Sequence, residues 1–184
     1  MSLPKSPDPA KLVIGMFLND RSLARPAAEI LVDRFGPVDM VSAWFPFDWT
    51  SYYEAEMGGP LYRRMFAFRN LIGQGDLAGI KLATNRVELD FSENENRRLN
   101  LDPGYLVSPR FVLATGKDFT HRIYIGKGIY ADLTLVYSRG RFEPLPWTYP
   151  DYADRLLVSW LNRVRSKYLV DMKNADQTCF GPPG

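Results

Sequence analysis

The stretch THRIYIGKGIYADLTLVY, residues 120–137, holds the chain's only histidine, His121, together with Arg122, Lys127 and Asp132. An unmodified imidazole titrates near neutrality, so His121 leads the candidates for general acid–base work. Asp132 is its candidate catalytic partner. Arg122 and Lys127 supply cationic donors for a phosphate, and the backbone N–H groups of Gly126-Lys127-Gly128 can cradle one. Each group also has a plainer reading. The Gly-Lys-Gly run makes a tight turn between two strands, and a lone histidine often serves only as a hydrogen-bonded structural residue. Asp132 shares its alternation with Tyr130 and Thr134, opposite Ile129, Leu133 and Leu135. It therefore faces away from the apolar side, toward solvent or into a cleft.

Other carboxylates are candidates for a hard cation such as Mg²⁺. Asp48, Glu54 and Glu56 lie in the aromatic stretch FDWTSYYEAEM, and Asp102 lies in an Asp-Pro-Gly sequence that signals a turn. The ligand-binding set is Arg122, Lys127, Tyr130, Asp102 and Glu54. Solvated loop acids and a turn-capping aspartate are the rival explanations.

Several chemistries are excluded by count or spacing. One histidine and one cysteine cannot build a Cys/His zinc centre. There is no haem signature, no phosphate-binding loop of the G-x-x-x-x-G-K-[ST] kind and no G-x-G-x-x-G dinucleotide fingerprint for NAD. No G-x-S-x-G accompanies His121. The formal net charge of +2, from 23 bases and 21 acids in 184 residues, implies no attraction to nucleic acid or anionic membrane. The pairs Arg63-Arg64 and Arg97-Arg98 are expected to be solvated surface. No apolar run is long enough to span a membrane. The single cysteine, Cys179, and the absence of an apolar N-terminal leader point to the cytoplasm.

The elements that must position these groups follow from periodicity. KLVIGMFL (11–18) is a buried strand. A helix follows over about 21–35, with Asp20 or Ser22 as cap and Gly36-Pro37 as terminator. Residues 38–47 form a strand that fades at Pro46, and 47–60 is a loop. Residues 62–71 form a strand, and a helix keeps its spacing from Leu77 to Phe91 with Asp76 as cap. Strands are expected at 110–115 and on both sides of the glycine turn, with a hairpin at 137–142. An amphipathic helix runs over about 152–172. The fold class is α+β: a ferredoxin-like split βαβ core with helices on one face of an antiparallel sheet, extended by a C-terminal hairpin region and a closing helix. Residues 1–10 and 173–184 are expected to be flexible, around one domain at 11–172.

The phrases NLDPGYL, HRIYIGKGIYADLTL and GRFEPLPWTYPDY, with KLVIGMF, RFGPVD and FPFDWTSYYEAEMG, resemble a bacterial family known only as domain-of-unknown-function family 4416. The likeness runs from about residue 11 to 170. It implies a bacterial, single-domain, soluble protein and brings no established activity. At the position of Asp132 the family also carries an acid, often glutamate.

Two functions remain in view. One is an enzyme acting on a phosphorylated or nucleotide-like small molecule, with the charged groups gathered in one cleft. The other is a non-catalytic binding or regulatory module that uses the rings Trp49, Tyr52, Tyr53, Trp147 and Tyr149. A weaker variant is nucleotide binding at the Gly-Lys-Gly turn.

Overall fold

The computed structural model describes residues 1, 3–48, 53–94 and 96–179, without the side chains of 54, 55 and 175–179. Its centre is β1 (Ala10–Leu18), which is buried at all nine positions. A strand of this kind needs cover on both faces. Asp20 accepts a bond from the Ser22 N–H at 2.9 Å and opens a short 3₁₀ turn that leads into α1 (Ala24–Phe35). Gly36, at φ 90°, closes α1 through its N–H to the Val32 carbonyl.

The expected strand at 38–47 is split into β2 (Val38–Val41) and β3 (Phe45–Pro46), and α2 (Glu54–Met57) interrupts the expected loop. β4 (Tyr62–Ile72) and α3 (Leu77–Asp90) follow. Asp76 precedes α3, but its carboxylate accepts from the Gly73 N–H rather than capping the helix. β5 (Leu99–Val107), β6 (Arg110–Thr115), β7 (Arg122–Gly126), β8 (Ile129–Ser138) and β9 (Arg141–Pro144) complete the strands. α4 (Arg155–Cys179) runs beyond residue 172, where the expected helix stops.

Among the described residues all nine strands join one antiparallel sheet in the order β2-β4-β1-β5-β6-β8-β7, with β3 on β4 and β9 on β8. The order β2-β4-β1-β5 is consistent with a split βαβ core. α1 and α3 pack on the face that presents Leu12, Ile14, Met16 and Phe66. α4 covers the other face with Leu157, Trp160, Leu161, Val164 and Tyr168, over Val13, Met65, Phe111 and Leu135. The closing helix is thus what lets β1 be buried throughout.

A fully buried amine ties this packing together. Lys11 Nζ sits 3.0 Å from Asp39 of β2 and 2.6 Å from Asp171 of α4, while Lys167 also reaches Asp39 at 3.4 Å. Two acids and two bases therefore lock α4 across β1 and β2, at a desolvation cost that their mutual pairing offsets.

The Asp-Pro-Gly sequence is not a turn. β5 passes straight through Asp102, Pro103 and Gly104. The ladder with β6 begins only at Gly104, so Pro103 lies just before the point where β6 would need its missing N–H. Gly104 is needed for space: a Cβ there would lie 2.5 Å from the Val112 carbonyl oxygen. Gly104→Ala is expected to lower unfolding stability by about 2 kcal/mol. Gly75→Ala, with nothing within 4 Å of the new methyl, should change it little. Urea denaturation of the two variants checks the contrast.

Candidate functional site

In an antiparallel ladder, directly opposed residues share a face. Gly104, Leu113, Asp132 and Arg122 are successive partners across β5, β6, β8 and β7, and all face the α4 side. A bulge between Leu133 and Leu135 turns Leu135 onto this same side, which ends the simple alternation of β8. Asp132 is consequently buried rather than solvated. Its Oδ2 accepts from Arg122 Nε at 3.0 Å and lies 3.2 Å from His121 Nε2. The Thr134 hydroxyl donates to the Asp132 carbonyl at 3.0 Å.

Arg122 is the hub of this cluster. Besides Asp132 it donates to the Lys117 carbonyl at 3.0 Å and to the Tyr149 hydroxyl at 3.3 Å. Burial opposes its charge, but Asp132 and Tyr149 outweigh that and raise its pKa. His121 stacks on Trp147 at 5.1 Å between centroids and meets the edge of Phe119 at 5.4 Å. An imidazole held by a carboxylate and flanked by rings has its orientation set, and Nδ1 remains as its second ring nitrogen.

The rings arrive on a strap, residues 145–152, that crosses the face from β9 to α4. β7 pairs with β8 over Ile129–Asp132 and β9 pairs with it over Leu135–Ser138, on the same edge. The strap fills the gap between them. Trp147 Nε1 donates to the Leu133 carbonyl at 2.9 Å, and the Thr148 hydroxyl donates to the Thr134 carbonyl at 2.6 Å. Carbonyls freed by the bulge are satisfied in this way.

The far end of the strap is held by a residue expected at the surface. Arg63 of β4 is 3% exposed. One of its terminal nitrogens bonds Asp151, and the other is 3.5 Å from Asp102. Its guanidinium carbon lies 4.6 Å from the Tyr152 ring, 4.7 Å from Phe47 and 5.5 Å from Phe17. Burial works against this charge, yet the surrounding oxygens of Tyr152, Asp151 and Asp102 raise its pKa. Asp102 continues the chain of contacts through Asn100 to Arg97, which forks onto Glu56 with two bonds of 2.7 Å. Behind them, Lys81 and Glu88 of α3 bond the Leu101 carbonyl and N–H, beyond the end of the β5–β6 ladder. A cavity of about 150 Å³ opens beside Arg63 and Asp151, walled by Phe45, Phe47, Leu156 and Leu157.

The structure thus brings His121, Arg122 and Asp132 into contact and places Tyr130 and Asp102 on the same face. From the strand spacing and register, Asp102 and Asp132 are roughly 12 Å apart at Cα, too far to hold one ion. Lys127 leaves the group: at φ 57° it forms the tip of the glycine turn, and its Nζ comes near Gly79 of α3, on the opposite face. The Glu54 side chain, Trp49 and Tyr52 lie outside the described residues. Glu56 is paired with Arg97 rather than solvated in a loop. Arg63 and Asp151 were missed because neither carries a local signature. The one clue was that Arg63 alternates with Arg64 inside a strand, so one of the two had to face inward.

Removing one partner of a buried pair leaves an unmatched charge. Asp151→Asn is therefore expected to cost about 3 kcal/mol in thermal or urea unfolding, and the joint change Arg63→Met with Asp151→Leu should recover much of it. The phenols of Tyr53 and Tyr152 are both pushed above their ordinary value, by burial first; the Asp102 charge adds to the shift. Both are neutral in either state below pH about 10, where unfolded tyrosine begins to ionise. Stability should hold up to that pH and fall as pH rises beyond it, because only the unfolded chain then loses these protons. Tyr152→Phe should flatten that fall, as followed by circular dichroism.

No curated protein and no solved structure matches the chain. The family described as Domain of unknown function (DUF4416) matches residues 8–168. The match takes in the whole sheet, the strap and the His121–Asp132–Arg122 cluster, and the chain belongs to that family.

Proposed function

We propose that the protein is an acid–base enzyme acting on a phosphorylated or nucleotide-like small molecule, with His121 transferring the proton and Asp132 orienting it. The observation that carries this reading is the 3.2 Å approach of His121 Nε2 to Asp132 Oδ2, on an imidazole stacked against Trp147. Asp132 selects the tautomer that leaves Nδ1 to exchange protons and stabilises the imidazolium as it forms. Arg122 acts as a positioning residue, because each of its three guanidinium nitrogens already donates to one of Asp132, Lys117 and Tyr149. Phe119, Trp147 and Tyr149 favour the nucleotide-like part of the substrate class, since a planar base stacks on such rings. Among the described residues no three of His, Cys, Asp and Glu converge as a metal seat, so no step is assigned to Mg²⁺. No described helix is long and apolar enough to cross a membrane. A bacterial, cytoplasmic setting is part of this proposal.

A second reading, a non-catalytic binding module, is favoured by Trp147 and Tyr149 standing 38% and 54% exposed. One experiment separates the two. A thermal-shift screen with nucleotides and phosphorylated metabolites, with and without Mg²⁺, finds the ligand; turnover is then followed chromatographically. For the enzyme, His121→Gln and Asp132→Asn should retain the ligand shift and lose turnover by about 10²–10⁴-fold. Full turnover in His121→Gln would overturn the enzyme reading. A ligand shift that Trp147→Ala and Tyr149→Ala abolish, with no turnover in the unaltered protein, is the outcome expected of the module.

A further inference from the structure

Among the described residues β7 is the last strand of the sheet and pairs only with β8. Unpaired edges are normally blunted by an outward charge or a proline. β7 holds no proline, and its one charged residue, Arg122, is turned inward, with a side chain only 7% exposed on Asp132. The rest of the edge is apolar and exposed: Ile123, Tyr124 and Ile125 are 68%, 60% and 36% exposed, beside Phe119 at 62%. The opposite edge is managed differently, since Asp39 of β2 is held in the charge quartet with Lys11, Lys167 and Asp171.

We propose that β7 is a self-association edge, and that its occupant is β7 of a second copy, paired antiparallel about Tyr124. The sequence Ile123-Tyr124-Ile125 is symmetric about its centre. A two-fold axis there sets Tyr124 against Tyr124 of the other copy, and each Ile123 against the opposite Ile125. This is the self-complementarity that an isologous dimer requires and an unrelated peptide does not. At these exposures the four side chains offer roughly 500 Å² per copy, against the ~800 Å² per partner of a standard interface. The bulge between Tyr124 and Gly126 also limits the regular run of β7. Both features set a weak dimer. Because Arg122, Tyr124 and Tyr130 share a face, the two His121 clusters of such a dimer open on the same face of the joined sheet, roughly 20 Å apart along it.

Sedimentation equilibrium up to about 1 mM measures the association directly. Ile123→Lys and Tyr124→Lys should each weaken it at least tenfold, while Leu89→Lys, on the exposed side of α3, should leave it unchanged. In a Cys179→Ser background, Tyr124→Cys should form an intermolecular disulfide on mild oxidation, which reads the two-fold axis without relying on the lysine variants. A protein that stays monomeric throughout overturns the proposal. So does a dimer that survives both lysine substitutions, or one that Tyr124→Cys fails to cross-link.

Discussion

A guanidinium removed from water needs its charge matched, and the burial of Arg63 sets much of what surrounds it. Asp151 and Asp102 match its charge, while Tyr152, Phe47 and Phe17 cover its faces. Asp151 lies on the strap, so holding Arg63 means holding the strap down. The strap in turn lays Trp147 on His121 and Tyr149 on Arg122. α4 begins directly after it, so the same pair also fixes where the helix starts across the sheet. Gly15 belongs to this arrangement, because a Cβ there would lie 3.2 Å from the Tyr152 hydroxyl.

The buried charges of this protein are spent on one another. Lys11 and Lys167 are held by Asp39 and Asp171; Arg97 is held by Glu56 and Glu88; Arg122 is held by Asp132. Networks of this kind contribute little net stability, but they penalise misaligned packing. They also narrow the chemistry. A carboxylate already bound to a guanidinium is a poor metal ligand and a good orienting partner for an imidazole. Asp132 is used in the second way, held between Arg122 and His121.

Much of the architecture was legible from residues 11 to 142. β1, α1, α3, β6, the β7–β8 turn and the β8–β9 hairpin follow from periodicity, capping and glycine placement, all of which act within a few residues. The Asp-Pro-Gly sequence misled because its turn propensity is local. In β5 the ladder geometry makes Pro103 harmless and demands Gly104 for close approach. β8 misled in part for a similar reason: a single bulge moves Leu135 to the face of Asp132, and alternation cannot reveal a bulge. Arg63 was unreadable because its partners are 39 and 88 positions away in the chain, at Asp102 and Asp151.

By itself, the sequence determined the α+β class, most of the elements, and the candidacy of His121 as the one imidazole beside a strand acid. Those depend on side-chain type and on backbone preferences at short range. Only the tertiary structure decided which groups meet. It joined His121, Arg122 and Asp132, sent Lys127 to the opposite face, buried Arg63 and left the β7 edge apolar. The physical reason is that burial and charge pairing act through space, across a sheet whose neighbours come from distant parts of the chain.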